Sequence, residues 1–457
     1  MVTQNTIATS FTDGSSPGTT SSIVEICSND GSSSLIARGA FGHVDIALLV
    51  GWQCPSPTTE TADTKKGTTA IIHSVKLAAI KTIPNATNKS SGTLTREAFA
   101  ELNALRLLNG HANVTPLLGF YGARDKFAGS GWGWGGNDLG NLSSLCLVFP
   151  YHPIDLAEAL NCRRLKSFAD GSPHQEYHLP ANVVQRVCCD ILSALAHLHS
   201  HHILHRDVKP GNLYITKEGR VELGDFGLAK VVPIDTDQIE TETGLCTLQY
   251  RPPELLLGGN GIVNEVGASE GALDIWSTGC IFAELLTLSG PLFPGQSVLD
   301  QLSRIFHVLG TPSEQDWREV SQLPDWNKVT FEYQSGKGMQ EILGSFHMVE
   351  LISSMLFLDP LKRPSARQCL QSFNLNDNAV KIHGYESVVS ALIPSSLLVE
   401  DPIYFGTHNT EHDRVAYAKL CASGVASARR NFPQSLDNTA KQNDGPKWRC
   451  KSALCSL

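Results

Sequence analysis

The chain has 457 residues, with 36 Lys and Arg against 45 Asp and Glu and a formal net charge of −9. That balance argues against general binding to nucleic acid or an anionic membrane, which needs clustered cations. No run of about 18 apolar residues is present to make a transmembrane helix. With 41% apolar and 18% charged residues the composition fits a globular protein with a full core, and the length sets a prior of two to four domains. The 12 cysteines are scattered without a C-x-x-C pair, and the N-terminus shows no basic-then-apolar leader. They read as reduced thiols, which places the chain in the cytoplasm, the nucleus or both.

Residues 1–22 are small and polar and are expected to be disordered. A strand is expected over 23–26, followed by Leu35-Ile36-Ala37-Arg38-Gly39-Ala40-Phe41-Gly42-His43-Val44, which by itself reads as a hairpin turn. Residues 51–69, rich in Thr with Pro55 and Pro57, read as a long insertion between two strands. Leu77-Ala78-Ala79-Ile80-Lys81 is an apolar strand ending in a lysine. Ala98, Leu102, Leu105 and Leu108 recur at three- and four-residue steps and predict a helix over 95–109, carrying Glu97 and Glu101. A second insertion, 122–141, contains a Gly-rich loop with Trp132 and Trp134. Leu145-Cys146-Leu147-Val148-Phe149 is a buried strand running into Pro150-Tyr151-His152, and Asp155 precedes a helix starting near Leu156.

Val184, Val187, Ile191, Leu195 and Leu198 mark a long core helix over 183–199. Its histidines His197, His199, His201 and His202 invite a metal reading, set aside because Cys or carboxylate partners are lacking. The helix leads into His205-Arg206-Asp207-Val208-Lys209-Pro210-Gly211-Asn212, and a short strand-like run precedes Asp225-Phe226-Gly227. Two carboxylates, an amine and an amide can thus converge where a metal-bound phosphate would lie. Further on come Cys246-Thr247-Leu248-Gln249-Tyr250-Arg251-Pro252-Pro253-Glu254, an apolar helix from Asp274 to Glu284, Phe293-Pro294-Gly295, and Asp359-Pro360 with Arg363.

These blocks resemble the protein kinase family, whose signature is H-R-D-x-x-x-x-N followed by D-F-G; the likeness covers about residues 24 to 373. It implies an α+β, two-lobed protein kinase fold. A small, mainly β N-lobe with one helix would span about 23–150 and a large, mainly α C-lobe about 151–373, leaving 374–457 as a tail without assigned activity. In that tail Cys455 is third from the end, so a prenylation site is not met. The resemblance implies ATP and Mg²⁺ as cofactors and a protein substrate, with no role for nucleic acid or membrane.

Carried over residue by residue, Gly39, Gly42 and Val44 match the nucleotide loop, and Ala37 stands for its first glycine. Ala79 and Lys81 match the V-A-I-K strand, with Lys81 on the α- and β-phosphates. Counting back from Gly110-His111-Ala112-Asn113-Val114 favours Glu101 over Glu97 as the partner of Lys81. Phe149 would stand beside adenine, and Pro150 and His152 would offer it backbone groups; Pro150 lacks an N–H but keeps its C=O. The imidazole of His152 is expected in solvent. Asp155 either reaches the ribose or caps the next helix. Asp207 would orient the substrate hydroxyl and take its proton, Lys209 would hold the γ-phosphate, and Asn212 and Asp225 would coordinate Mg²⁺. Lys209 is the serine/threonine mark, and Thr247 would sit beside Asp207. Asp274 would brace the catalytic loop, and Arg363 would pair with Glu254.

Tyr250-Arg251 and Phe293-Pro294-Gly295 point to the branch holding cyclin-dependent and MAP kinases, cyclin-dependent kinases most closely. The departures concern regulation. The three arginines that gather an activation-segment phosphothreonine there fall on Ala100, Arg206 and Lys230, and the phosphothreonine falls on Glu242, flanked by Thr241 and Thr243. The cyclin-reading helix sequence is replaced by Leu94-Thr95-Arg96-Glu97-Ala98-Phe99. Resemblance to fungal single-chain CDK-activating kinases implies activity without that phosphorylation and without a cyclin, on another cyclin-dependent kinase. Tyr250-Arg251 leans toward proline after the target residue, while Leu245-Cys246 in place of a Val pair and Gln249 in place of Trp weaken that lean. The alternative is a pseudokinase scaffold that binds partners through its insertions and tail.

Overall fold

The computed structural model describes residues 6–7, 19–25, 35–39, 42–53, 71–84, 95–123, 144–169, 178–232, 246–259, 271–344, 348–376 and 385–398. Alternating apolar residues in the first third of the chain produce one antiparallel sheet. Its strands are β1 (Thr6–Ile7), β2 (Thr19–Glu25), β3 (Leu35–Gly39), β4 (Gly42–Gln53), β5 (Ile71–Pro84), β6 (Gly119–Ala123) and β7 (Ser144–Pro150). Their order is β1-β2-β4-β5-β7-β6, with β3 also paired to β4. Helix α1 (Arg96–Leu108) starts where the Thr95 hydroxyl accepts the Ala98 amide at 3.2 Å. It buries Ala98, Leu102, Leu105 and Leu108 along one stripe, as the spacing predicts.

Strand β8 (Ile154–Asp155) follows the hinge and leads into α2 (Leu156–Ala169), then α3 (Ala181–Ser200). Four short strands come next: β9 (Ile203–Leu204), β10 (Leu213–Ile215), β11 (Val221–Leu223) and β12 (Lys230–Val231). They form the sheets β8-β10-β11 and β9-β12. The remaining helices are α4 (Pro253–Leu256), α5 (Ala272–Thr287), α6 (Val298–Leu309), α7 (Met339–Leu343), α8 (Val349–Met355), α9 (Ala366–Asn376) and α10 (Glu386–Leu392). Helix α5 is buried from Ala272 through Leu286, which explains its apolar residues on every side. One apolar core runs from Ile83 and α1 through α3 and α5. The small lobe is tied to the large one by backbone: the Leu223 amide donates to Asn113 O at 2.9 Å, and the Thr115 amide donates to Leu223 O at 3.0 Å.

The architecture is the expected two-lobed α+β fold, with three differences at its margins. Thr19–Ser22, expected to be disordered, pair with residues 50–53 of β4, and Thr6–Ile7 pair with β2. Polar residues suffice there because an added strand needs backbone partners before it needs a core. Residues 51–53 and 122–123, assigned to insertions, are strand; the rest of both insertions lies outside the described residues. The segment beyond 373 is not all tail: α9 runs to Asn376, and Val388, Leu392, Ile393 and Leu397 join the large-lobe core.

Candidate active site

Strand register assembles the small-lobe wall. Val44 lies opposite Lys81, and Ala79 lies between Ile46 and Phe149. Since directly paired residues share a face, Val44, Ala79, Lys81 and Phe149 occupy one side of the sheet. Ala37 and Gly39 pair with Val44 and Gly42 at the hairpin. Gly42 has φ +143°, and a Cβ there would come within 2.0 Å of Thr82 O, so no other residue fits this turn.

Lys81 Nζ lies 2.7 Å from Glu101 Oε1 and 2.6 Å from Asp225 Oδ1. Of the two glutamates on α1, Glu101 is the one on the buried stripe, while Glu97 is exposed. Burial pulls the Lys81 amine down, but Glu101 and Asp225 together outweigh it and hold the ammonium above its usual range. Burial raises the Glu101 carboxyl despite Lys81. For Asp225 burial acts the same way, yet Lys81 prevails and keeps the carboxyl low. The lysine charge is therefore shared between Glu101 and Asp225.

The catalytic loop is held from below by Asp274, the expected brace. Asp274 Oδ2 accepts the His205 amide at 3.0 Å and Oδ1 the Arg206 amide at 2.9 Å. His199 Nε2 donates to Oδ2 at 3.0 Å. Burial would raise the Asp274 carboxyl, but the His199 bond and the other donors bring it below the usual range. These bonds keep Arg206 at φ +65°, a conformation few non-glycine residues adopt. Arg206 Nε in turn donates to Leu228 O at 2.7 Å. His205 Nε2 donates to Gly224 O at 3.0 Å, and its Nδ1 accepts the Asp207 amide at 3.3 Å. The fully buried His205 thus joins the loop to the strand end carrying Asp225, itself at φ +56°.

Around Asp207 three predicted residues converge. Asp207 Oδ1 accepts the Thr247 hydroxyl at 2.8 Å and the Thr247 amide at 3.0 Å. Lys209 Nζ bridges Asp207 Oδ2 at 2.6 Å and Thr247 Oγ1 at 3.1 Å. Asn212 Nδ2 donates to Asp207 O at 2.8 Å and to its Oδ2 at 3.2 Å. This commits the amide nitrogen of Asn212 inward and leaves its oxygen as the atom to present elsewhere. That oxygen and the ionised Asp225 carboxylate fit a hard divalent cation, which takes one or two protein oxygens and fills its shell with phosphates and water. Among the described residues no cluster of three or more His, Cys, Asp or Glu is arranged for a metal.

One hinge expectation needs revision. The imidazole of His152, expected in solvent, is 8% exposed and pairs with Glu222 at 2.8 Å. Asp155 Oδ1 accepts the Glu158 amide at 2.9 Å, the contact that capping requires. Arg363 meets Glu254 in a two-pronged pair, both bonds at 2.7 Å. Sequence reasoning left out His205 and His199 as positioning residues, although both lay in view within or beside the signature. It also left out Tyr214 and Glu222, for which no sequence signal existed. Residues 241–243, with Glu242, lie outside the described residues. A sequence model of the protein kinase domain matches residues 66–373, a span that takes in Lys81, Glu101, Asp207, Asn212, Asp225 and the Glu254–Arg363 pair. The chain belongs to the protein kinase domain family and is a protein kinase.

Proposed function

We propose that the chain is a serine/threonine kinase of the cyclin-dependent-like branch, moving the γ-phosphate of ATP with Mg²⁺ to a protein hydroxyl. The observation that carries this reading is the closed set of bonds among Asp207, Lys209 and Thr247. Phosphoryl transfer needs in-line placement and charge neutralisation more than covalent chemistry from the protein. Asp207 orients the attacking hydroxyl and accepts its proton, Lys209 holds charge on the transferred group, and Lys81 anchors the rest of the polyphosphate. Mg²⁺ on Asn212 and Asp225 neutralises charge on the phosphates when bound.

Backbone geometry beside Asp207 supports a proline after the target residue. Cys246 has φ +87°, and its carbonyl is taken by Arg251 Nε at 3.2 Å and Nη2 at 2.6 Å. A substrate amide facing that carbonyl would find its acceptor occupied, at a cost proline avoids by having no N–H. Glu242 in place of the phosphothreonine supports activity without activation-segment phosphorylation, since it supplies one of the nearly two charges a phosphate brings. The absence of the cyclin-reading sequence supports cyclin independence, and resemblance to CDK-activating kinases supports another cyclin-dependent kinase as substrate. The test is phosphatase-treated full chain, wild type and Asp207→Asn, with ATP and matched Ser-Pro and Ser-Ala peptides and a cyclin-dependent kinase. Wild type should phosphorylate, favouring Ser-Pro, while Asp207→Asn should bind nucleotide without transfer. Equal behaviour of the two proteins would return the scaffold reading.

A further inference from the structure

Helix α10 packs on α2 and α3, and buried Val388, Leu392 and Ile393 account for its seat on the large lobe. Tyr385, the residue just before it, makes contacts that apolar burial does not explain. Arg186 Cζ lies over its ring at 3.7 Å from the centroid, and Arg220 Cζ at 5.5 Å. The Tyr385 hydroxyl donates to Asp190 Oδ1 at 3.4 Å. Arg186 Nε lies 3.2 Å from the same oxygen, and Asp190 Oδ2 accepts the Val221 amide at 2.9 Å. The turn before Val221 is held as closely, since a Cβ at Gly219, whose φ is +90°, would fall 2.4 Å from Tyr385 O. Residues 219, 220 and 221 are thus each touched by Tyr385 or by a side chain that it touches. Val221 opens β11, and only Gly224 separates the end of that strand from Asp225. Asn113 Nδ2 donates to Val221 O at 3.0 Å, so the same strand also receives the tie from the small lobe.

We propose that Tyr385 is a positioning residue for Asp225: seated against Arg186, Arg220 and Gly219, it fixes β11 and makes α10 part of what the active site needs. This deepens the kinase reading above and rests on it, because Asp225 is there a ligand of Mg²⁺. A guanidinium over a ring face is attracted by the ring's quadrupole, more strongly where water is partly excluded, and the Arg186 side chain is 19% exposed. The ring therefore orders both arginines, one braced against Asp190 and the other next to Val221 in the chain.

The test uses the full chain and two readouts: amide hydrogen exchange in the metal-free protein, and the Mg²⁺ concentration that gives half-maximal phosphorylation of a peptide. Tyr385→Leu keeps apolar bulk under α10 and removes the ring face and the hydroxyl. It should speed exchange over residues 219–224 about two- to tenfold relative to α5, and raise the Mg²⁺ requirement by a similar factor. KM for the peptide should not move. Tyr385→Phe keeps the ring on both guanidiniums and should stay within about twofold of wild type in both readouts. Faster exchange spread evenly over the large lobe in Tyr385→Leu would show that the ring only adds stability, and would overturn the proposal. An unchanged Mg²⁺ requirement would overturn it too. A wild-type chain that transfers no phosphate overturns the kinase reading and this one with it.

Discussion

Two buried cation–carboxylate pairs in this molecule show how similar chemistry serves opposite ends. Arg363 has both prongs on Glu254 and further donates to Phe357 O at 2.8 Å, Leu358 O at 3.1 Å and Ala272 O at 3.1 Å. Its guanidinium also lies 4.9 Å from the Trp276 ring, and both side chains of the pair are essentially unexposed. Lys81 divides one ammonium between two carboxylates that come from different lobes, and Asp225 is one-third exposed. The first pair is saturated and planar, as arginine allows. The second is a point charge between two acids, and it can take up phosphate oxygens without leaving a carboxylate stranded. Ion-pair chemistry alone does not separate structural from functional pairs; the number of remaining partners does.

The comparison breaks first at Arg363. Arg363→Ala strands Glu254 in the core and should cost about 3–5 kcal/mol of stability, read by urea unfolding; a loss below about 1 kcal/mol would show that Glu254 finds water. Lys81→Ala should behave in the opposite way. It should cost less stability than Arg363→Ala, since Asp225 keeps solvent access and the raised carboxyl of buried Glu101 can take up a proton, and reduce kcat/KM about 10²–10³-fold. A stability loss as large as that of Arg363→Ala would erase the distinction.

Much of this site is legible in the sequence because its chemistry needs particular residue types at short range. Asp207, Lys209 and Asn212 sit on one loop, and their bonds to one another are local. Glu101 is harder, because two glutamates share α1; the count back from Gly110-His111 favours the one that lies on the buried apolar stripe. His152 was misread because a hinge residue between two prolines carries no periodic signal, and its partner Glu222 lies 70 residues away. Tyr214, stacked on the His152 ring, is invisible for the same reason: strand alternation marks it as outward-facing, but only the fold shows that outward means toward the hinge. The strap formed by α10 was missed because Val388, Leu392 and Ile393 form too short an apolar pattern to promise a helix.

Behind the cleft a third kind of carboxylate sharpens the contrast. Asp190 on α3 accepts the Val221 amide at 2.9 Å and pairs with Arg186 at 3.2 Å, yet burial raises its carboxyl to about 6. The raised folded value means that its contribution to stability is complete below about pH 4 and is lost as pH rises through 6, up to roughly 3 kcal/mol. Asp190→Asn keeps an acceptor for Val221 and has no proton to lose. Between pH 4.5 and 7.5 the stability difference should therefore move toward the variant, and a constant difference would show that Asp190 does not titrate there.

The smallest effect belongs to Asp155, which separates capping from nucleotide contact. Asp155→Asn retains a side-chain oxygen for the Glu158 amide, whereas Asp155→Ala removes it and should cost about 1 kcal/mol. If capping is its whole role, KM for ATP stays at the wild-type value in Asp155→Asn, and Asp155→Ala loses stability alone. A rise in KM common to both variants would instead assign the carboxylate to the ribose, and the hinge would then hold a second polar contact to the nucleotide beyond its backbone.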